Sequence, residues 1–503
     1  MTMRDAAAGG DSVSEVTELV DQPAIGSSAR RVARNALLRS AAEIVGKVAT
    51  FAMFVAIARE LGPGGLGDIT FAIALTGNLL FISGFGIDMI VTREAIRRPP
   101  LLGSLMGDGL VIKLIGSAPA LLIAAVVVEF GSYSSDARIA VYLIGLSTLI
   151  DVIENSWNAA FQAHERFDLI SAVIVFQRLV NGGLVVAVVA VGGGVIPVSG
   201  TFLVVSVATI LLAMWLLRFV ASPKWSVQRS RLLPLLRAGF PVGVAVMLLT
   251  VLLRIDMVIL SLIAGNKEVG IYGAAFRIVE STMFLSWSFS GAIFPWFSRM
   301  RVENRSQIAR GYELGLVVLL SLLTPLGVGC ALLAAPIVHL IYGGRYDGSI
   351  TPLRLLGAVV IAYGVNTLTN STLAANDRPR LMHRILLVTL VQNIVMNLLL
   401  IPPYGATGAA LTAAVSALLL SMLSIRQAIK ALGRLRLLRV LLAPAVGGAA
   451  MSAAVALVWG SLIEGVLLGG AAYLAAMLLI ERVFFPADFA RILGAIRLQP
   501  KRT

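Results

Sequence analysis

Cysteine occurs once in 503 residues, as Cys330, and histidine three times. A lone thiol excludes an internal disulfide and any cysteine cluster for zinc or iron–sulfur. Charge is scarce as well: 14% of the residues are Asp, Glu, Lys or Arg, against about 25% in soluble domains. No polar stretch between apolar blocks is long enough to fold alone, so no soluble catalytic domain is expected on either side. The glycine-rich GPGG at 62–65 follows no strand and lacks the lysine of a nucleotide loop, which argues against ATP binding. Residues 1–30 are small and polar with no apolar h-region. They read as a disordered cytoplasmic tail and not as a signal peptide.

What the chain has instead is hydrocarbon. Apolar residues make up 58%, and the mean hydropathy is +0.90. They lie in continuous blocks of about 20, the length of helix that crosses a bilayer. Continuous rather than alternating blocks imply helices and not barrel strands. Fourteen spans are expected, at roughly 35–58, 69–92, 104–128, 138–161, 169–191, 200–219, 238–264, 270–297, 310–334, 352–374, 384–402, 406–429, 441–460 and 464–482. The fold class is therefore an all-α polytopic membrane protein.

The net charge of +14 sets topology and does not imply nucleic acid. With the N-terminus inside, basic clusters such as Arg93, Arg97 and Arg98, or Arg426, Lys430 and Arg434, all fall on the inner side. Only Arg59, Arg138, Lys267, Arg345 and Arg354 fall outside. This bias places both termini in the cytoplasm. The longest outer connection, 335–350, reads as a short interfacial segment.

The chain also repeats itself weakly. Gly62 and Gly67 recur as Gly265 and Gly270 at an offset of 203, Asn158 and Arg166 as Asn370 and Arg378 at 212, and Gly200 and Arg218 as Gly408 and Arg426 at 208. The order is preserved, at equivalent helix ends. Two parallel six-helix lobes follow, at 31–220 and 221–430, with two extra helices in 431–503.

RELGPGGLGDITFAIAL after the first span, AGNKEVGIYGAAFRIVE after the seventh, FPWFSR closing the eighth and PPYGATGAALTAAVSALL before the twelfth resemble one family. It is the polysaccharide-transporter branch, including O-antigen (Wzx-type) flippases, of the multidrug/oligosaccharidyl-lipid/polysaccharide (MOP) exporter superfamily. The likeness covers about 31–430. It implies two pseudo-symmetric lobes around a central cavity, alternating access, and a polyprenyl-pyrophosphate-linked oligosaccharide as substrate. It further implies a bacterial cytoplasmic membrane and a place in lipopolysaccharide or other surface-polysaccharide synthesis, beside glycosyltransferases and a polymerase.

Ionisable groups at bilayer depth cost ~2.5–3.5 kcal/mol or more on insertion scales, so those that persist are the functional candidates. Arg39, Glu43 and Lys47 share one face of the first span; Lys113 lies on the third, Arg178 and Asn181 on the fifth, Arg254 on the seventh, Arg277 on the eighth and Asn393 on the eleventh. Lys47, Lys113, Arg178, Arg254, Arg277 and Arg39 are expected to solvate a diphosphate, and Asn181 and Asn393 to meet sugar hydroxyls. Asp151, Glu154, Asp256 and Glu280 are the carboxylates deep enough to couple Na⁺ or H⁺. No catalytic residue, resident metal or cofactor is expected. Structural readings stand beside these: Arg254–Asp256 and Arg277–Glu280 as ion pairs, Lys113 paired with Asp108 or Asp151, and Arg178 paired with Glu154. A lipid II flippase or drug exporter of the same architecture is the rival transporter, and a membrane-embedded glycosyltransferase or polymerase the rival enzyme.

Overall fold

The computed structural model describes residues 25–484 except 85, 221–225, 300–304, 375–378 and 459–460. The described residues form α-helices and short 3₁₀ turns with no strand. Nine of the helical stretches are long and apolar enough to cross a membrane.

Two of the runs are too long for one crossing. α1 (Ile25–Ser83) has 59 residues, or ~88 Å at 1.5 Å per residue. It is broken at Gly62, whose φ of 69° suits glycine alone, and Pro63 starts the next helix with its fixed φ. Two expected spans are thus joined by a kink instead of a loop. α1 also begins six residues before the end of the stretch read as a tail; 1–24 lie outside the described residues. The first lobe continues with α2 (Ile87–Arg97), α3 (Leu102–Phe130), α4 (Ser135–Glu154), α5 (Asn158–Ala163), α6 (Phe167–Ala190) and α7 (Val195–Leu217). The second lobe holds α8 (Arg229–Ala264), α9 (Asn266–Arg299), α10 (Arg305–Leu332), α11 (Ala334–Tyr342), α12 (Ile350–Ala374) and α13 (Pro379–Leu432). α13 is the second long run, broken at Gly405 with φ 50°. α14 (Leu437–Leu457) and α15 (Leu462–Phe484) complete the chain.

Two expected spans are interrupted. The one read as 69–92 ends at Ser83, because Gly86 takes φ 66°; its Cα faces the Gly239 carbonyl and the Gly243 amide of α8, where no side chain fits. The one read as 138–161 tightens into a 3₁₀ turn at Asn155–Trp157. There the Asn155 amide donates to the Asp151 carbonyl, competing locally with the helix ladder.

Within the first lobe α1 packs on α3, α4 and α6, and α4 on α7; within the second, α12 packs on α10 and α13, and α13 on α8. α1 also runs along α8 and α9, joining the lobes. α14 packs on α10 and on α15, pinned where the Tyr473 hydroxyl donates to the Ser321 carbonyl at 3.0 Å. These two helices flank the second lobe. Large apolar side chains such as Leu122, Leu211, Leu399 and Leu467 are exposed on outward helix faces, as a lipid-facing surface requires.

The repeat partners meet in space. A Cβ on Gly67 would overlap the Asn266 carbonyl, and one on Gly270 the Pro63 carbonyl. The pseudo-symmetry axis therefore passes between these two glycines, and backbone approaches backbone. Around this point the Asn266 amide donates to Asp68 at 2.6 Å. Arg59 donates to the carbonyls of Ile341 and Leu340 at 2.7 and 2.6 Å, and the Tyr346 hydroxyl to the Ala58 carbonyl at 3.0 Å. The connection read as an interfacial segment is thus a clasp between lobes. At the opposite end buried Asp108 pairs with Arg231 at 2.8 Å and accepts from the Gln228 amide at 2.7 Å.

Candidate functional site

Between these two closures lies a cavity of about 320 Å³, inside the range of ligand sites, ~300–1,000 Å³. Helical periodicity builds its walls. Lys47, Thr50, Phe51 and Phe54 fall at i, i+3, i+4 and i+7 on α1, one face of a helix. Gln177, Arg178 and Asn181 come from one face of α6, and Arg277, Glu280 and Ser281 from one face of α9. α4 adds Asp151 and α8 adds Arg254. Both lobes contribute charge. Counted from the kink at Gly265, Arg254 and Arg277 lie ~16–18 Å along their helices.

Four cations, Lys47, Arg178, Arg254 and Arg277, face two carboxylates, Asp151 and Glu280. Glu280 is held by Arg277 at 2.6 Å and Arg254 at 3.4 Å. Asp151 accepts from the Gln177 amide at 2.9 Å. The Arg277 guanidinium lies 3.5 Å from the centroid of the Phe54 ring, a cation–π contact across the lobe boundary. Its Nε and Nη2 have no hydrogen-bond acceptor among the described residues, and the Asn181 Oδ1 has no donor. A buried donor left unsatisfied costs ~1–3 kcal/mol, more when charged.

Arg178 forms no ion pair or hydrogen bond among the described residues. Its aliphatic stem crosses Gly46, where a Cβ would overlap the Arg178 Cδ. The alternative pairing with Glu154 is absent: Glu154 is buried and does not line the cavity, and its Oε1 is unpaired among the described residues.

The structure thus brings together Lys47, Arg178, Arg254, Arg277, Asn181, Asp151 and Glu280. It separates others. Lys113 is 1% exposed and does not reach the cavity. It pairs with Asp88, not with Asp108 or Asp151, and donates to Ser156 Oγ at 3.0 Å and the Val152 carbonyl at 3.2 Å. Asp256 does not pair with Arg254; it accepts from the Tyr272 hydroxyl and from the Met257 amide at 3.0 Å. Asn393 donates to Ser416 Oγ at 3.1 Å in a second cavity within the second lobe. The side chain of Arg39 lies outside the described residues. The partners Asp88 and Tyr272 were hidden in the sequence because they sit at distant helix ends and faces that only packing aligns.

Lys113 therefore serves the first lobe's architecture. Lys113→Met should leave buried Ser156 and the Val152 carbonyl without their donor, at a cost of ~1–3 kcal/mol; Asp88, half exposed, would be solvated instead. Membrane abundance and thermal unfolding temperature should fall, whereas the surviving protein should keep its affinity for ligand. Normal abundance with weakened binding would instead return Lys113 to the site.

Comparison with known proteins agrees with this architecture. The superposition on "Lipid II flippase MurJ, inward closed conformation" has a TM-score of 0.77 at 15% identity, covering 89% of this chain and 99% of that one. An inward-facing multidrug resistance MATE family transporter of the MOP superfamily gives 0.64 at 16% identity, over 78% and 98%. At these identities the fold alone is what is shared. In sequence, two proteins of Haloferax volcanii are similar over part of their length. The probable low-salt glycan biosynthesis flippase Agl15 is 26% identical over 32% of this chain and 34% of its own. The probable flippase AglR is 32% identical over 35% and 38%. The matched stretch thus spans about a third of each relative. The model of one family, described as polysaccharide biosynthesis protein, matches residues 32–301, more than half of the sequence. The chain belongs to the polysaccharide biosynthesis protein family.

Proposed function

We propose that this protein is a flippase that carries polyprenyl-diphosphate-linked oligosaccharide across the cytoplasmic membrane for cell-surface polysaccharide synthesis, such as O-antigen. The observation that carries the reading is the excess of cations in a cavity shared by both lobes, with Arg277 buried there and two of its N–H donors unpaired among the described residues. A diphosphate diester bears two negative charges, which complements four cations against two carboxylates. Fixed guanidinium groups replace the water such a head group loses inside the bilayer. The family match and the flippase relatives support the same cargo. A cationic drug would meet repulsion here, which disfavours the exporter reading. Alternating access would open the glycine contact at one end and the Asp108–Arg231 contact at the other in turn. Asp151 and Glu280 are where a Na⁺ or H⁺ gradient would act. The charge bias supports inward termini, and the product would pass to a polymerase or glycosyltransferase.

The test is a head-group accessibility assay in proteoliposomes loaded with a polyprenyl-diphosphate glycan. Protection of the glycan from an external glycosidase should decay faster with protein than without, and should slow when ion gradients are collapsed. Decay no faster than in empty vesicles would end the flippase reading; decay indifferent to the gradients would end the coupling.

A further inference from the structure

The second lobe holds its own cavity, about 430 Å³. Its chemistry differs from the first. Among the described residues the one carboxylate or cation on its wall is Asp256, and that group is already engaged by Tyr272 and the Met257 amide. A diphosphate would find no cation there among the described residues. The wall is mostly hydrocarbon, interrupted by a few amides and hydroxyls and by Trp287.

Two of its polar atoms are stranded. Asn366 Oδ1 and Ser290 Oγ are buried with no hydrogen-bond partner among the described residues. A prenyl chain or other hydrocarbon would leave them so. A hydroxylated ligand would satisfy them. Trp287 is 59% exposed, and its indole N–H donates to the Tyr363 hydroxyl. The edge of the ring is thereby held and its face remains available. An aromatic face beside amides is the pairing that suits a pyranose, which has an apolar C–H face and a polar rim.

The two cavities are aligned. Glu280 of the first and Met283 and Trp287 of the second lie three and seven residues apart on α9, one helix face. Trp287 sits ~10 Å along the axis from Glu280. A diphosphate among the cations would hold the first sugars of its glycan beside that ring.

We infer that the second-lobe cavity is a saccharide subsite, in which Trp287 stacks on a sugar ring and Asn366 and Ser290 bond its hydroxyls. This rests on the proposed flippase reading and adds to it where the glycan is recognised. Selectivity for the sugar would then be separable from affinity for the diphosphate.

The experiment measures binding of two probes to detergent-purified protein: synthetic polyprenyl diphosphate, and the lipid-linked glycan pool extracted from the source membranes. Wild-type protein should bind the glycan form roughly tenfold more tightly, the worth of one or two good polar contacts. Trp287→Leu and, separately, Asn366→Leu should remove that preference and leave the affinity for bare polyprenyl diphosphate unchanged. Arg178→Ala should weaken both probes alike. If the two cavity variants weaken bare polyprenyl diphosphate as well, the cavity holds the prenyl chain and the proposal falls. If they leave the preference intact, it also falls. Failure of the parent reading looks different: Arg178→Ala would then leave both probes unaffected.

Discussion

Arg178→Ala is expected to weaken binding of a polyprenyl-diphosphate glycan by ~1.5–3 kcal/mol, the worth of a charge-assisted contact, and so by ~10–150-fold. Membrane abundance and thermal stability should not change. The reason is the asymmetry between this residue and its neighbours. Removing Arg277 would take from Glu280 its shortest ion pair, at 2.6 Å, and leave Arg254 at 3.4 Å and the Lys47 charge beside it, so function and folding would be weakened together. Arg178 has no carboxylate partner among the described residues, so nothing buried is stranded when it goes. Arg178→Lys should recover part of the loss, since it keeps the charge and loses the two-pronged geometry. Gly46→Val should mimic the loss without touching a charge, because the new side chain would occupy the path of the Arg178 stem. Flipping and abundance measured together decide the matter. Normal flipping by Arg178→Ala at normal abundance would remove it from the mechanism, and a parallel fall in abundance would make it structural.

The second large effect is conformational. Gly67→Val, or Gly270→Val, should prevent the lobes from closing at the Gly62 end. The obstacle on each side is a backbone carbonyl, of Asn266 or of Pro63, and neither can rotate away as a side chain would. Overpacking of this kind costs ~1–3 kcal/mol. Applied to one of two states, it shifts their ratio by ~5–150-fold. The cavity would then stay open at that end and transport would stall. Cys330 is buried, so a cysteine introduced at Ser281 in the cavity can report with low background. Labelling of Ser281→Cys by an impermeant thiol reagent from outside should rise sharply in Gly67→Val. Gly64→Ala is the control, since nothing lies within 4 Å of its Cβ position. Unchanged labelling and unchanged transport in Gly67→Val would show that this contact does not gate the cavity.

Much of this molecule is legible in its sequence. Composition and block length are one-dimensional quantities, and they dictate helices in a bilayer because hydrocarbon tolerates no unpaired backbone group. The repeat was legible too, through Gly62, Gly67, Gly265 and Gly270, because glycine is favoured where φ is positive and where two backbones touch. The candidate cations were found by depth alone, since a charge at mid-membrane is costly enough to need a reason. Helix boundaries were less legible. The breaks at Gly62 and Gly405 join spans without a loop, and Gly86 ends a helix within an apolar block for the sake of a contact with α8.

Which charge meets which was beyond the sequence. Lys113 and Arg178 look alike on paper, each a lone cation deep in an apolar helix. Packing turned Lys113 toward Asp88 and left Arg178 facing the cavity. Asp256 sits two residues from Arg254, yet two residues along a helix turn side chains to opposite sides, so Tyr272 took the carboxylate and Glu280 the guanidinium. Sequence alone determined the solvent this protein folds in, its helices and its doubling, because those follow from local and periodic properties. Only the tertiary structure decided which buried charges cancel one another and which face the cavity. That depends on distances between helices that are remote in the chain, and electrostatic energy in a medium of low dielectric constant varies steeply with those distances.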